Sequence, residues 1–352
     1  MHAPDQPTVT IIVVPRESFG YAKASLESLY RNTREPFDLV YVDGGSPRRV
    51  RDYLAGEARA RGFTLIRTEE YLSPNRARNL GLRAARGRYV VFADNDILFQ
   101  DGWLGRLVAC ADVTGAAVVG PLCCIGEPLH EVIHNGGGET AIEEHVREGR
   151  AVRRIRQLTH LSGRRVSDLG PDLIPFKCDY VEFHTVLVRR ALFDEIGDLD
   201  EKLLSTREHI DLCLLAAEAG HTIYCERRTA ITYVPGVRPT LSDVRYFMLR
   251  WSDAWDLASL DHFRSKWNLD EDRYFVKRYG KLGKRRHRAI IAPVVARIPV
   301  GRAFVERMLK AADQRVSALI VRRYARKHEY ARHSVGVIRL LRRARVKMKV
   351  AA

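Results

Sequence analysis

The side chains best suited to chemistry are acidic and fall into two groups. Asp94 and Asp96 stand one residue apart in YVVFADNDILF (89–99), where an apolar run ends in charge. On an extended chain residues i and i+2 point to the same side, so the two carboxylates repel. A divalent cation removes that conflict, and oxygen donors suit Mg²⁺ or Mn²⁺, ions that are commonly shared with substrate phosphates. The same aspartates could instead close Asx turns after the strand. The second group is Glu208, His209 and Asp211, at the head of the apolar helical pattern REHIDLCLLAAEAG (207–220). Glu208 and Asp211 are three apart and share a helix face, and His209 points about 100° away. Any of them could take a proton from a hydroxyl. Ser205-Thr206-Arg207-Glu208 also reads as a capping box, and acids are favoured at a helix start by its dipole.

Both groups need elements to hold them. TVTIIVV (8–14), FDLVYVDGGS (37–46), FTLIRT (63–68), RYVVFADND (88–96) and AAVVGPL (116–122) read as short buried strands, two of them running on into turns or charge. Between them lie helical patterns at 21–32, 47–62, 73–87 and 102–113, with Ser73 as a cap, Pro74 in the first turn, and Gly62 and Gly87 as stops. Continuous apolar strands alternating with helices predict an α/β fold: a mostly parallel, doubly wound sheet flanked by helices. Ligands of such sheets bind beyond the carboxyl ends of the strands, and VDGGS and ADND both lie at such ends.

Farther along, IHNGGGE (133–139) is a glycine loop flanked by His130 and His134, and GRAVRRIRQLTHLSGRRV (149–166) is basic and reads as exposed. CDYVEFHTVLVRRALF (178–193) reads as one strand, STREHIDLCLLAAEAG (205–220) as a helix and HTIYCERRTAITYV (221–234) as a strand. The six cysteines lack metal-finger or CxxC spacing and read as reduced core residues of an intracellular protein. The chain shows no signal-peptide pattern and no apolar run long enough to span a membrane.

Charge is uneven. The chain carries +16 overall, yet residues 281–352 hold 21 Lys and Arg against 3 Asp and Glu, so the rest is near neutral. Apolar residues Phe304, Val305, Met308, Leu309, Ala312, Val316, Leu319, Ile320 and Tyr324 recur at helical spacing among these cations. That composition predicts a basic helical C-terminal extension with an anionic partner, a membrane surface, a nucleic acid or an acidic polymer, and its spacing is that of an interfacial membrane helix; an ordinary helix with a solvated basic face would read the same way.

The motifs TIIVVP, VYVDGGS, ARNLGL (77–82), GRYVVFADND, LVRRALFDEIGDLDEKL (187–203) and REHIDLCLLAAEAG, in that order and spacing, resemble the family 2 glycosyltransferases of the GT-A fold, over residues 8–235. The resemblance implies a Rossmann-like nucleotide-diphospho-sugar transferase, inverting and dependent on Mn²⁺ or Mg²⁺. It implies that Pro15 lies beside the nucleotide, that Asp43 contacts its base, and that Arg78 and Asn79 lie near the donor. Asp94 and Asp96 would bind ribose and the metal. The family's usual Glu-Asp-x-Asp-Leu is here Glu208-His209-Ile210-Asp211-Leu212, so His209 replaces the aspartate most often assigned as base. Glu208, then His209, then Asp211 are the candidates. His184 and the aromatic stretch LRWSDAWDLASLDHFRSKW (249–267), with Trp251 and Trp255, are candidate acceptor contacts, although both also read as core.

The expected division is a catalytic domain over 1–240, an aromatic-rich helical segment over 241–283 and a basic tail over 284–352. Expected partners are a UDP-, GDP- or dTDP-sugar donor, a glycan or lipid-linked acceptor, and an anionic membrane surface for residues 284–352, in the cytoplasm or at the inner membrane face. Nucleic acid is not expected, because the acidic motifs would then be unexplained. A dehydrogenase fails on the missing G-x-G-x-x-G after the first strand. An inactive scaffold related to the transferases is the alternative that His209 keeps open.

Overall fold

The structure is a computed structural model and describes residues 8–234 and 242–337. The chain forms two compact units, the first Met1–Ala141, Arg156–Leu199 and Glu208–Val237, the second Ile142–Ile155, Asp200–Arg207 and Arg238–Ala352.

In the first unit the elements run β1 (Val9–Val14), α1 (Ala22–Asn32), β2 (Phe37–Gly44), α2 (Arg48–Arg61), β3 (Thr64–Thr68), α3 (Pro74–Ala84), β4 (Tyr89–Asp94), β5 (Ile97–Phe99), α4 (Trp103–Thr114), β6 (Val118–Ile125) and β7 (Ile133–Asn135). After the hairpin strands β8 (Gly138–Arg147) and β9 (Arg150–Thr159) come β10 (Pro175–Cys178), β11 (Thr185–Arg189), α5 (Leu192–Ile196), α6 (Glu208–Glu218) and β12 (Ile223–Tyr233). The main sheet has the order β10-β12-β6-β11-β4-β1-β2-β3, with β5 added to β12 and β7 to β6. β4, β1, β2 and β3 are mutually parallel and β12 is parallel to β6, whereas β11 runs antiparallel between β4 and β6.

β1 and β4 are buried along their whole length, which explains their unbroken apolar sequence. Leu26 and Leu29 of α1, Leu54 of α2, and Trp103, Leu104 and Leu107 of α4 join them in one core. Gly81 shows how tightly α3 lies on the sheet: a β-carbon there would sit 2.2 Å from Ile12 Cγ2. At the DGGS turn Gly45 has φ +72° and sits against the Glu70 carbonyl carbon, so only glycine fits without strain.

Several local expectations need correction. α3 ends at Ala84 rather than running to Gly87, because Gly87 is pressed against the backbone of Thr8 and Thr10 at the entry to β4. The Ser73 side chain makes no cap hydrogen bond. The 178–193 stretch is not one strand: β10 ends at Cys178, β11 covers only Thr185–Arg189 and pairs with β4, and α5 starts at Leu192. The basic 149–166 segment is mostly exposed or half-buried, as expected, and contains β9, which pairs with β8. The cysteines need no correction: as expected, all six are free and buried.

The second unit is helical beyond residue 242: α7 (Val244–Arg250), α8 (Asp253–Lys266), α9 (Arg273–Tyr279), α10 (Lys284–Arg286), α11 (Ala292–Val295), α12 (Arg302–Lys327) and α13 (His333–Val337). Trp255, Phe263 and Phe275 are buried there. Two buried polar anchors tie it together. Arg250 donates to the Ser205 carbonyl at 2.8 Å, and the Arg286 guanidinium bridges Asp253 and Asp313. No helix among the described residues is long and apolar enough to cross a membrane. The part of the basic extension from 338 to 352 lies outside the described residues.

Candidate functional site

Strand register assembles the site at the carboxyl edge of the sheet. Val14 of β1 pairs with Asp94 of β4, so the loop after β1 begins beside the Asp94-Asn95-Asp96 turn. The Asn95 N–H donates to the Val14 carbonyl, its Oδ1 accepts the Arg16 N–H at 3.1 Å, and its Nδ2 donates to the Ser18 carbonyl at 2.9 Å. Asn95 thus staples the 15–18 loop to the acidic turn. Thr185 of β11 pairs with Ala93, which leaves His184 next to Asp94. Tyr233 at the end of β12 pairs with Ile97 and stacks on His184 at 4.5 Å.

Asp94 and Asp96 live in opposite environments. Asp94 Oδ1 accepts from Arg78 at 3.2 Å, and its Oδ2 faces Arg16 at 2.9 Å and His184 Nδ1 at 3.1 Å. Burial would raise its pKa, but these groups, Arg16 foremost, hold it well below the usual carboxylate range. Asp96 is 2% exposed, and neither carboxylate oxygen has a hydrogen-bond partner. Burial, and then the charge on Asp94, push its pKa well above the ordinary value. The pairing expected from sequence is therefore asymmetric. Arginines pair directly with Asp94, whereas Asp96 feels Arg16 only through space and has no hydrogen-bond partner.

A buried carboxylate without a partner is costly unless a ligand completes it. Among the described residues no cluster of three or more His, Cys, Asp and Glu could hold a metal alone. Magnesium-type ions commonly take one or two carboxylates and complete their shell with substrate phosphates and water, so Asp96 fits that role.

The other expected donor residues are placed as follows. Pro15 follows β1 and packs against Gly44. Asp43 ends β2, is 1% exposed, and braces its turn by accepting the Ser46 N–H at 3.0 Å and the Ser46 hydroxyl at 2.8 Å. Arg67, its register partner on β3, also pairs with it. Arg78 is buried with its guanidinium 4.0 Å from the Phe183 ring centre, so it positions Asp94. The Asn79 amide brackets the backbone of Leu199 instead, donating to the carbonyl at 2.8 Å and accepting the N–H at 3.0 Å.

α6 begins at Glu208, with Arg207 before it at φ +74°. The Ser205 hydroxyl donates to Asp256 at 2.6 Å. Glu208 and Asp211 are buried at the start of α6. His209 Nδ1 lies 3.7 Å from Glu182 Oε2, and its ring is 5.9 Å from that of Tyr180. Burial would raise the Glu182 pKa, but His209, His184, His134 and Arg16 bring it down to about 2. Glu182 thus links His209 electrically to the groups around Asp94. Burial chiefly, with Arg16, lowers His184 to about 4, so it is neutral beside Asp94 at neutral pH.

His134 lies 6.1 Å from the His184 ring, whereas His130 is held on Thr232, whose Oγ1 lies 2.9 Å from its Nδ1. In the second unit Trp255 is 0% exposed and packs on Tyr324, so it offers no face to a sugar. Trp251 lies under the guanidinium groups of Arg250 and Arg285. Sequence reasoning did not assign Arg16, Asn95 or Glu182. Arg16 stands directly after Pro15 at a strand end, a place where a charge is itself a signal. Glu182 sits in the apolar run YVEFHTV, where a lone acid asks for a partner.

Three comparisons bear on this arrangement. The sequence model described as "Glycosyl transferase family 2" matches residues 10–196. The uncharacterized glycosyltransferase EpsJ of Bacillus subtilis (strain 168) is 31% identical over 118 residues, 32% of this chain and 33% of that protein. The succinoglycan biosynthesis protein ExoO of Rhizobium meliloti (strain 1021) is 30% identical over 112 residues, 32% of each chain. The chain thus spans about a third of the length of these relatives. Among solved structures, GalNAc-T7 with UDP, GalNAc and Mn²⁺ superposes with a TM-score of 0.50 at 16% identity, over 85% of this chain and 59% of that one, a likeness of fold.

Proposed function

The chain belongs to glycosyl transferase family 2, and from that premise we propose that it moves a sugar from a nucleotide-diphosphate donor to a hydroxyl acceptor, with inversion and with a divalent metal. The observation that carries the metal-dependent reading is Asp96: a buried carboxylate with no partner, at the carboxyl edge of the sheet, beside an Asp94 already fixed by Arg16, Arg78 and His184. Asp96 would hold Mn²⁺ or Mg²⁺. When bound, such an ion stabilises the negative charge that grows on the departing diphosphate. Asp94, Pro15 and the Asp43–Ser46 turn line the same strand ends and would bound the nucleoside.

His209 is the base this geometry favours over Glu208 and Asp211. Its Nδ1 faces Glu182 across 3.7 Å, and the ionised Glu182 would stabilise the imidazolium that forms when the ring takes the proton of the acceptor hydroxyl. A carboxylate behind an imidazole then stands in for the family's usual aspartate. A single displacement by the acceptor oxygen inverts the sugar carbon.

The acceptor in this reading is a growing polysaccharide or a lipid-linked glycan, in keeping with the name of ExoO. On α12, Phe304, Met308, Val316 and Leu319 are all about half exposed or more and recur at helical spacing, with exposed Arg315, Arg322, Arg323 and Arg326 among them. That face suits an anionic membrane surface and a peripheral enzyme at the inner face of the membrane. Release of nucleoside diphosphate from a panel of UDP-, GDP- and dTDP-sugars, with and without Mn²⁺, tests the catalytic reading. Metal-dependent release from one donor, lost in Asp96→Asn, is expected; equal release by that variant would refute the role of Asp96.

A further inference from the structure

The second unit contains a cavity of about 410 Å³. Its lining includes one acid, Asp256, and six cations: Arg207, Arg278, Lys281, Lys284, Arg285 and Arg288. We propose that this cavity is a binding site for a phosphate or diphosphate group, separate from the donor site of the first unit.

Like charges do not gather at one wall without a reason. Burial lowers the Lys281 pKa, and Arg278, Arg207, Lys284 and Lys277 lower it further, so these cations repel one another. Asp256 offsets little of that field. Its burial raises its pKa to about 6, although the Ser205 hydroxyl and Arg250 act to lower it. Nor is there a general shortage of acids nearby. Arg286, between lining residues Arg285 and Arg288, is 1% exposed and has two carboxylates, Asp253 at 2.9 Å and Asp313 at 3.0 Å. The unit therefore neutralises the arginine it buries, while Lys281, Lys284 and Arg288 are exposed around the cavity.

Two lining side chains are aimed by costly or specific contacts. Arg207 adopts φ +74°, a conformation unfavourable for a residue with a β-carbon. Its guanidinium donates to the Tyr274 hydroxyl at 2.6 Å. Arg278 lies across the Tyr274 ring at 3.2 Å and donates to the Tyr274 carbonyl at 2.8 Å. A fork of guanidinium and ammonium donors around a concave space recognises phosphate oxygens, by paired hydrogen bonds from arginine and by point charge from lysine. This assignment holds whether or not the donor reading is right, because it uses none of the same residues.

The test is calorimetric titration of the full chain with inorganic diphosphate in EDTA, so that no metal can recruit it to Asp96. Wild type and Asp96→Asn should bind alike. The triple variant Lys281→Ala, Lys284→Ala, Arg288→Ala should bind about a thousandfold more weakly, at about tenfold per charge-assisted contact. These three side chains are exposed, so the variant should fold; Arg288→Lys, which keeps the charge, should retain most of the affinity. Undiminished binding by the triple variant, or no binding by wild type, would overturn the site. A second arm identifies the source of the phosphate. Neutral phosphatidylcholine vesicles doped with a lipid diphosphate are compared with vesicles of equal charge made with phosphatidylserine. Preference for the diphosphate lipid, lost in the triple variant, assigns the site to a lipid-borne group. Equal partition, with diphosphate still bound in solution, assigns it to a soluble one.

Discussion

At the sheet edge of the first unit, three basic groups converge on Asp94, while Asp96 is buried with no partner. Around the cavity of the second unit the imbalance has the other sign: six cations face one acid, and that acid holds its proton up to about pH 6. Each unit satisfies its structural charges internally, Arg78 with Asp94 in one and Arg286 with Asp253 and Asp313 in the other. What is left over in each is the charge a ligand would complete. The leftover carboxylate calls for a cation, and the exposed Lys281, Lys284 and Arg288 call for an anion. This distinguishes a buried ion pair that supports a fold from a buried charge kept for binding.

Breaking the leftover charge of the first unit should have the largest effect. Asp96→Asn should lower metal-dependent turnover about a thousandfold while leaving the fold intact, as judged by unchanged or increased resistance to urea, because the variant removes an unpartnered buried charge. The contrast fails if turnover survives or if the protein unfolds.

Breaking a structural charge should do the reverse. Arg16→Met leaves Asp94 short of a counter-ion and should cost about 3 kcal/mol of stability by urea unfolding. Gly81→Ala tests the scaffold beneath the same turn. Its methyl would collide with Ile12, and a loss of about 1–3 kcal/mol is expected. A neutral result for either would mean that the sheet edge is softer than its packing implies.

The dyad offers a sharper test. His209→Ala should lower kcat about a hundredfold with little change in donor affinity, and Glu182→Gln should lower it about tenfold and weaken the pH dependence of kcat. Equal loss of kcat and donor affinity in both would make the pair structural.

The smallest effect concerns Asp256. Its carboxyl binds a proton more tightly folded, with a pKa of about 6, than unfolded, near 3.8. The folded state therefore holds the extra proton, and stability should fall as pH rises from about 4 to about 6 and then level off. Urea unfolding across that range should show a steeper fall in wild type than in Asp256→Asn.

Much of this was legible in the chain. Continuous apolar runs correspond to the buried β1 and β4, and the acidic turn stood out because it interrupts such a run. Order and spacing of the motifs led to the family that the comparison over residues 10–196 bears out. The placement of individual side chains was not legible, because it depends on register across strands distant in sequence. β11 runs antiparallel beside β4, which sets His184 against Asp94 across 90 residues. Helical spacing put Glu208 and Asp211 on one face but could not show that His209 would meet Glu182. Nor could spacing show that the Asn79 amide brackets the backbone of Leu199, 120 residues away. In the sequence the second unit's cavity shows only as a basic run, because its lining joins Arg207 to residues more than forty positions later, and only the fold brings them together.

If Asp96 is kept for a metal and, through it, for a nucleotide sugar, donor binding itself must depend on that carboxylate. Calorimetry with a panel of nucleotide sugars, with and without Mn²⁺, on wild type and Asp96→Ala, tests this most directly. One donor should bind tightly only with metal, and the variant should lose that binding. Failure to bind any donor under either condition, or equal binding by Asp96→Ala, would contradict the role of Asp96 and move weight to an inactive relative that scaffolds a glycan-building complex.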